Sequence, residues 1–494
     1  MIEHHLPALQ VLLPLFAAPL LMFLVRWPTL AWALTTAVCW ATFLVSALLL
    51  EAVWAGDPIS YAHGGWEPPY GIEYWVDPAN ALVLLIVSGI SAIVMPFARD
   101  SVEQEIPRDR IAWFYTAFLL ANAGLLGIAI TGDAFNIFVF FEISAIASYA
   151  LIAMGRDRRA LLASFTYLIM GTIGTTFLLI GIGFLYMMTG TLNLADLAER
   201  LPAVRDTSTI RAAFAFIAVG VSLKLALFPL HLWLPNAYTY APSMVTVFLA
   251  ATATKVAIYV LLRFFYSVFG VEFSFGVLPM GYVLMPLALL GILIPSIVAT
   301  FQADVKRMLA YSSVAQVGYI ILGFSFASTL GLMAAMLHLF NHAITKAALF
   351  MALGAIVYRI GSTRIDDMAG IARDMPWTMA AFVVGGLSLI GIPLTAGFVT
   401  KWHLLLAALE AGLWPIAVFL LATSLIAVIY IWRVVEAAYF RERPAGAVPV
   451  REAHPALLLP TWALALASVV FGIHTALPIG AAARAAEILL GGYP

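Results

Sequence analysis

Long apolar runs separated by short polar loops occupy most of the 494-residue chain. A helix that crosses the hydrocarbon core of a bilayer, about 30 Å thick, needs roughly 20 mainly apolar residues. Runs of this kind predict fourteen spans, at residues 6–25, 30–50, 75–98, 111–131, 133–154, 161–189, 212–235, 241–268, 277–300, 306–328, 330–358, 377–409, 413–438 and 456–475. The pattern therefore predicts an all-α polytopic membrane protein with about fourteen transmembrane helices.

Only two of the predicted loops are long. The first, residues 51–74, is acidic and aromatic, and the second, residues 193–211, carries the mixed-charge segment ADLAERL, which predicts a short surface helix. We expect no soluble domain, and the N-terminus lacks the basic segment and small-residue site of a cleaved signal peptide. The first apolar run is therefore expected to remain as a helix.

Composition supports a membrane protein and excludes several other classes. The chain is 63% hydrophobic and 10% charged, whereas about 25% of residues are charged in an ordinary soluble domain. A net charge of -1 without a basic tract argues against nucleic-acid binding. The single cysteine, Cys39, excludes an internal disulfide and a cysteine-based metal cluster.

Arginine and lysine are distributed unequally between the two sides of the predicted bundle. Loops after odd-numbered spans carry sixteen of these residues and loops after even-numbered spans carry four, namely Arg200, Arg205, Arg211 and Arg263. Cytoplasmic loops are enriched in positive charge. The odd-numbered loops are therefore predicted to be cytoplasmic, which places both termini outside the cytoplasm.

Spans 7 and 12 share an interruption. Residues 222–235 read SLKLALFPLHLWLP and residues 386–405 read GLSLIGIPLTAGFVTKWHLL, so that Pro229, Pro235 and Pro393 are predicted to break the two helices. The two elements are five spans apart and hence point in opposite directions, a pattern typical of inverted-repeat transporters.

This arrangement predicts four segments along the chain. They are an N-terminal three-helix segment (1–110), a first five-helix repeat of spans 4–8 (111–268), a second, inverted five-helix repeat of spans 9–13 (277–440), and a C-terminal helix 14 with its tail (441–494).

Four of the five lysines, Lys224, Lys255, Lys346 and Lys401, fall inside predicted spans. Buried lysine, unlike arginine, can gain and lose a proton near neutral pH. One such lysine could extend its side chain to the membrane interface, but four near mid-span favour a functional set. Lys306 is expected to lie at the interface, at the start of span 10.

Glu142 is the one carboxylate deep in an apolar run, in the middle of span 5. An isolated carboxyl group would be neutral there, and a nearby ammonium would allow both groups to be charged. Lys224, beside the break in span 7, is the predicted partner. The alternative is a structural ion pair that fixes helix packing.

His338, His342 and Lys346 occupy positions i, i+4 and i+8 of span 11. They share one helix face and rise by about 6 Å per step, which suits a proton wire with water between the groups. Structural histidines that only satisfy their own hydrogen bonds are the main alternative. Haem or metal ligation is disfavoured because both histidines come from one helix and no carboxylate or cysteine is near. The role of His231, inside the first break, is left open.

The quoted segments resemble the antiporter-like subunits shared by respiratory complex I, membrane-bound hydrogenases and Mrp-type multisubunit cation/proton antiporters. The resemblance covers almost the whole chain and rests on the span-5 glutamate, LKLALFPLHLWLPNAY, HLFNHAITK, KRMLAYSSVAQVGY and IPLTAGFVTKW. DAFNIFVFFEISAIASYAL, KVAIYVLLR and the length look most like the Mrp D subunit, and the complex I subunit nearest the quinone arm is the relative most easily confused with it.

The resemblance implies that Glu142 and Lys224 are a coupling pair and that Lys255, His338, His342, Lys346 and Lys401 continue a proton path. It implies a subunit of a Na+/proton antiporter in the bacterial cell (inner) membrane, with other subunits, protons, Na+ and lipid as partners. Such a chain is an ion transporter subunit rather than an enzyme and needs no cofactor or metal. The alternatives are a proton-pumping subunit of a complex I-like or hydrogenase-type oxidoreductase, a passive scaffold, and a self-sufficient antiporter.

Overall fold

The computed structural model describes residues 3–54, 56–443, 450–491 and 493. The described chain is almost entirely helical, as predicted. Its α-helices are α1 (Leu6–Leu20), α2 (Pro28–Trp54), α3 (Pro78–Glu105), α4 (Ile111–Ile130), α5 (Ala134–Ala153), α6 (Arg159–Thr189), α7 (Leu194–Val204), α8 (Ser208–Lys224), α9 (Trp233–Tyr240), α10 (Ser243–Ala251), α11 (Ala253–Leu262), α12 (Gly281–Thr300), α13 (Val305–Ser325), α14 (Thr329–Ile360), α15 (Pro376–Ile390), α16 (Ala396–Glu410), α17 (Trp414–Phe440), α18 (Pro455–Ile473) and α19 (Ala476–Gly491).

Within these described ranges, 12 helical segments are long and apolar enough to cross a membrane. Two further apolar segments are interrupted and form the pairs α8/α9 and α15/α16. Together they account for the fourteen predicted spans and confirm that spans 7 and 12 are broken. The inverted relation of the two five-helix repeats stays a prediction.

The prolines play different parts in the two breaks. Pro229 lies in the non-helical stretch 225–232 between α8 and α9, and Pro393 lies in the stretch 391–395 between α15 and α16. Pro235, in contrast, lies in the first turn of α9, where the missing N–H group would have had no intrahelical partner. Pro235 therefore lies within the first turn of the second half-helix and, contrary to the prediction, does not interrupt the first.

Span 8 is also irregular, which was not predicted. Thr252, with φ −124° and ψ −57°, separates α10 from α11. A π-helical turn, Arg263–Val268, then continues α11. Neither proline nor glycine stands at Thr252, so the residue types that usually signal an interruption are absent there.

Helix α14 occupies the centre of the bundle. It has 32 residues and packs against seven others: α3, α10, α13, α15, α16, α18 and α19. Most of its middle is buried on every side, including the polar residues His338, His342 and Lys346. The central position explains why polar groups on this helix meet groups from several other helices.

Loops at one end of the bundle are joined by hydrogen bonds around the end of α3. The backbone oxygen of Glu105 accepts from Arg156 Nε (3.3 Å), and its carboxylate accepts from the backbone nitrogen of Ser243 (2.9 Å). Gln104 Nε2 donates to the backbone oxygen of Tyr358 (2.9 Å). Three of the arginine-carrying odd-numbered loops thus lie together, as a common side of the membrane requires.

The opposite end carries the long acidic and aromatic loop. It contains an antiparallel hairpin of β1 (Ile59–Ala62) and β2 (Glu73–Val76) in which Ile59 faces Val76. The hairpin was not predicted. The surface helix predicted at ADLAERL is confirmed as α7, whereas α19, in the C-terminal tail, was not predicted.

A buried ion pair joins the start of α3 to the end of α11. Arg263 Nη2 donates to Asp77 Oδ2 (2.7 Å), and both side chains are 1% exposed. The other carboxylate oxygen of Asp77 caps α3 by accepting from the backbone nitrogens of Ala79 and Asn80. Arg263 is therefore not the loop residue that the sequence predicts but is buried within the bundle.

We expect Arg263→Leu to lower the free energy of unfolding by about 3–5 kcal/mol, because it leaves the carboxylate of Asp77 buried without its cation. The midpoint of thermal unfolding of the purified protein in detergent measures the effect. Arg205→Gln is the matched control: it breaks the exposed Arg205–Glu272 pair (34% and 76% exposed) and should cost about 0–1 kcal/mol. Equal midpoints for the two variants would contradict a stabilising role for the buried pair.

Candidate functional site

Five of the seven predicted proton-transfer residues meet around α14. His338, His342 and Lys346 lie on α14 itself, Lys255 comes from α11, and Lys401 comes from α16. Lys255 and Lys346 are fully buried. Lys255 is near enough for its charge to act on both histidines and on Lys346. We call these five residues the α14 cluster.

The two histidines of the α14 cluster stack face to face. Their ring centroids are 5.8 Å apart and their planes differ by 4°. His338 Nε2 is 2.9 Å from Gln316 Oε1, whereas both ring nitrogens of His342 lack a partner in the described part of the chain. No group of three His, Cys, Asp or Glu within that part could hold a metal ion.

A small cavity lies between the histidines and Lys401. Its volume is about 10 Å³, and Asn341 and Gly397 also line it. One water molecule needs a cavity of roughly 10–15 Å³ and two or more polar partners. His338 Nδ1 and Asn341 Oδ1 have no partner within the described chain. The cavity therefore has the polarity and about the size that a single bridging water needs.

Lys401 binds the carboxyl end of the helix that the second break terminates. Its Nζ donates to the backbone oxygens of Ile390 (2.7 Å) and Leu389 (3.2 Å) and to Ser424 Oγ (3.1 Å). The last carbonyl groups of a helix have no intrahelical donor and carry partial negative charge. The break therefore provides a site for a cation without a carboxylate.

The other two lysines of the α14 cluster are held in the same way. Lys255 donates to the backbone oxygen of Ala250, which lies just before the irregular Thr252. Lys346 donates to the backbone oxygen of Leu309 (3.0 Å) and to Ser312 Oγ. Each of the three lysines thus contacts at least one neutral backbone carbonyl group.

Lys224 differs from these three. It ends α8 and is 6% exposed, but its Nζ has no hydrogen-bond partner among the described residues. The carbonyl group of Leu223, in the last turn of α8, accepts from Trp233 Nε1 (3.0 Å) and from the backbone nitrogen of Ala226 (3.3 Å). The Phe141 ring lies 5.7 Å from Lys224 Nζ. Lys224 is therefore the lysine whose amine is free to change partners.

Glu142 lies near Lys224 but does not form the predicted contact. No ion pair within 4.0 Å joins the two side chains in the described chain, although the charge of Glu142 acts on Lys224 from a longer distance. Glu142 is only partly buried on α5. These two residues form a second group, separate from the α14 cluster.

Two residues that the sequence analysis missed complete the surroundings of Lys224. Tyr149 lies on α5 seven residues after Glu142, and hence on the same face. A methyl group at Gly171 would lie 2.0 Å from Tyr149 Oη and 3.5 Å from Lys224 Nζ. The missing side chain at Gly171 therefore makes room for the hydroxyl group beside Lys224. The i, i+7 spacing from Glu142 was the signal available in the sequence.

Two other basic residues lie beside the two ends of α9. Lys306, expected at the interface, is 6% exposed and donates to the backbone oxygen of Ala241. His231, in the first break, packs its ring on Phe228, and its Nδ1 has no partner in the described chain. Lys306 thus joins α13 to the loop between α9 and α10.

Comparison with known proteins identifies relatives of two functional kinds. The profile of the family described as NADH:quinone oxidoreductase/Mrp antiporter, transmembrane, matches residues 131–427. The N subunit of the NADH-quinone oxidoreductase of Desulforudis audaxviator is 45% identical over 487 residues, which cover 95% of this chain and 96% of that protein. The D subunit of the Na(+)/H(+) antiporter of Alkalihalophilus pseudofirmus is 29% identical over 472 residues, covering 95% and 94%.

A solved structure shows the same fold along the whole chain. A chain of the Mrp complex from Dietzia sp. DQ12-45-1b superposes with a TM-score of 0.90 and 27% sequence identity, covering 99% of this chain and 98% of that one. The bundle described above therefore has the fold of a chain from this Mrp complex.

Gly171→Ala is expected to destabilise the protein, because the new methyl group would overlap Tyr149 Oη at 2.0 Å. Overpacking of this kind costs about 1–3 kcal/mol. Tyr149→Phe removes the overlapping oxygen, so the double variant should recover most of the loss in the midpoint of thermal unfolding. Gly183→Ala, where no atom lies within 4 Å, is the control. A double variant no more stable than Gly171→Ala would contradict the contact.

Lys401→Met and Lys224→Met should differ in stability. Lys401→Met leaves carbonyl groups at the end of α15 without a donor and should cost about 1–3 kcal/mol. Lys224→Met removes no hydrogen bond within the described chain and should be neutral or stabilising, since an unpaired buried amine is unfavourable. Thermal unfolding in detergent compares the two, and a larger loss for Lys224→Met would contradict the difference in their partners.

Proposed function

The chain belongs to the NADH:quinone oxidoreductase/Mrp antiporter family, and on this basis we propose that it is the proton-translocating subunit of a multisubunit Na+/proton antiporter. Its relatives include the D subunit of a Na(+)/H(+) antiporter, and its fold matches a chain of an Mrp complex. The protein moves protons along the buried line Glu142, Lys224, Lys255, His342, His338 and Lys401, with Lys346 beside it.

The observation that carries the proposal is the contrast between Lys224 and the other lysines. A residue that loads and releases a proton must be tolerated in both states. An ammonium group buried without an acceptor is costly, so Lys224 needs either water or the charge of Glu142 to hold its proton. Its freedom from other partners is what makes it suitable as the loading site.

The first step is loading of Lys224 while Glu142 stabilises the ammonium group. When Glu142 is displaced or screened, the buried lysine gives up its proton to water, because burial disfavours the charged form. Tyr149, beside Lys224, offers a hydroxyl group that can accept one hydrogen bond and donate another. The proton then passes to the α14 cluster through water.

The histidines relay the proton within the α14 cluster. Neutral imidazole accepts a proton at one ring nitrogen and releases one from the other. His342, with both nitrogens unpaired in the described chain, exchanges protons with Lys255 and Lys346, and His338 continues toward Lys401 through the cavity. The carbonyl groups of Leu389 and Ile390 hold the arriving charge.

The membrane orientation and the internal repeats are proposed from the sequence pattern. We propose that residues 111–268 and 277–440 are inverted repeats whose broken helices are α8/α9 and α15/α16, and that the arginine-rich end is cytoplasmic in a bacterial cell membrane. The exchanged cation binds in partner subunits, because the α14 cluster consists of nitrogen groups whereas hard cations such as Na+ take oxygen ligands.

A second candidate is the proton-pumping subunit of a complex I-like or hydrogenase-type oxidoreductase. The 45% identity to the N subunit of an NADH-quinone oxidoreductase over nearly the full length of both chains favours it. The buried line would work in the same way, and the redox chemistry would belong to partner subunits. The two candidate functions differ in what is coupled to proton movement: exchange for Na+ in the antiporter, and a redox reaction of partner subunits in the oxidoreductase.

Transport should be lost in both Lys224→Met and Lys224→Arg, measured as pH-gradient-driven Na+ uptake into vesicles that contain the whole complex. Methionine cannot carry a proton, and arginine keeps its charge but cannot release it. Losses of at least about 100-fold are expected for a step that depends on proton transfer by one positioned group. His403→Gln is the control, because His403 lies two residues after Lys401 and its Nδ1 is 2.7 Å from the backbone oxygen of Val399.

Full uptake in a well-assembled Lys224→Arg complex would contradict a proton-loading role. The same vesicles distinguish the two candidates. If vesicles with the wild-type complex take up no Na+, but their interior acidifies when a reduced electron donor and a quinone are added, the oxidoreductase function replaces the antiporter function. Iron or flavin in the purified complex would support that outcome.

A further inference from the structure

A polar cavity of about 420 Å³ opens at the arginine-rich end of the bundle, away from the proton line. It lies between the start of α2, the end of α3 and the start of α4, and is lined by Pro28, Thr29, Arg99, Glu103, Arg108 and Ile111. Its volume falls in the range of about 300–1,000 Å³ that is usual for small-molecule sites. None of the residues proposed above to move protons lines it.

Two exposed arginines line this cavity, and within the described chain neither forms an ion pair within 4.0 Å with Glu103 or another carboxylate. Arg99 and Arg108 come from different segments, and within the described chain neither forms an ion pair or a hydrogen bond. Arg99 instead lies over the Trp32 ring, 5.3 Å from its centroid, which restrains the guanidinium group at the cavity. Two arginines that share one space and lack a partner favour an anion with several oxygens, because guanidinium matches phosphate geometry.

The start of α2 adds a second source of positive potential. Pro28 is the first residue of this 27-residue helix, so the next backbone N–H groups, beginning with Thr29, have no intrahelical acceptor. Helix N-termini attract phosphate groups through these N–H groups and the helix dipole. Thr29 also lines the cavity and offers its hydroxyl group.

Exposed apolar side chains place the cavity at the membrane boundary. Phe23 is 79% exposed, Trp27 59% and Leu30 52%, and all three adjoin the cavity along the chain; Trp113, two residues after Ile111, is 46% exposed. Tryptophan is enriched at the level of lipid headgroups. A ligand in the cavity thus has its charged part at headgroup level and apolar surface beside it for acyl chains.

Glu103 decides between kinds of anionic ligand. Its carboxylate would repel a bare phosphate, but it accepts hydrogen bonds from hydroxyl groups. We propose that the cavity binds the phosphoglycerol headgroup of an anionic phospholipid. Arg99, Arg108 and the start of α2 bind the phosphate, and Glu103 accepts from the glycerol hydroxyl groups. The bound lipid joins the ends of α2, α3 and α4.

The test uses the purified complex in nanodiscs of phosphatidylethanolamine with limiting phosphatidylglycerol, and native mass spectrometry counts the bound lipid. We expect the affinity for phosphatidylglycerol to fall about 30-fold in the Arg99→Gln/Arg108→Gln variant, since each interfacial arginine contributes about a factor of five. Arg110→Gln is the matched control: Arg110 lies in the same short 3-10 helix as Arg108 but does not line the cavity, so the loss of affinity should be clearly smaller than that of Arg108→Gln alone. Unchanged binding in the double variant, or an equal loss in the control, overturns the proposal.

Two further arms identify the ligand. Wild-type complex should prefer phosphatidylglycerol to phosphatidate, which lacks the glycerol hydroxyls, and Glu103→Gln should reduce that preference; no preference in the wild type overturns the assignment.

Soluble glycerol 3-phosphate should compete weakly, because it has no acyl chains, and full competition would mean a soluble phosphate site instead. An acidic side chain of a partner subunit in the cavity would also overturn the proposal. The lipid preference and the competition measured on the wild-type complex test the proposal even if the double variant fails to assemble.

Discussion

Backbone carbonyl groups freed by interrupted helices inside the membrane are the constraint on which the rest of the structure depends. The hydrocarbon chains of the lipids cannot donate a hydrogen bond to them, so the protein must. The three interruptions use different side-chain donors: Trp233 for Leu223, which also accepts from the backbone nitrogen of Ala226, Lys255 for Ala250, and Lys401 for Leu389 and Ile390. Where an indole satisfies the carbonyl group, the neighbouring lysine is left free, and that lysine is Lys224.

This division explains how buried lysines can change protonation state without disturbing the fold. A neutral amine keeps two N–H donors, so Lys401 can still donate to the carbonyl groups of α15 after it has lost its proton. The break therefore remains satisfied in both states. Lys224 has no such contact in the described chain, and its preference for one state depends on what approaches it. In the proposed proton line, the lysines that hold backbone carbonyl groups are thus different from Lys224, whose amine has no hydrogen-bond partner in the described chain.

The parts of the site that the sequence predicted are those fixed by helix periodicity. His338, His342 and Lys346 lie on one continuous helix, so their spacing alone placed them on one face. Proline marked the breaks of spans 7 and 12, but nothing in the residue types marked Thr252. The burial of Arg263 and Lys306 was missed because it depends on partners distant in sequence, Asp77 and Ala241. The same holds for Tyr149, whose place depends on the absence of a side chain at Gly171.

The buried basic side chains differ in the partner that each one has, a carboxylate or a neutral dipole, and this partner sets how easily the side chain can lose its charge. Arg263 is paired with a full carboxylate at 2.7 Å, and removing either charge would leave the other buried alone, so that pair is structural. Lys255, Lys346 and Lys401 contact neutral carbonyl and hydroxyl dipoles. These dipoles stabilise an ammonium group less than a carboxylate does, so that loss of its proton costs less free energy. Lys224 lies between these cases, because Glu142 acts on it from beyond ion-pair distance. In the proposed mechanism, a modest movement of one carboxylate would switch Lys224 between holding and releasing a proton, whereas no comparable movement would discharge Arg263.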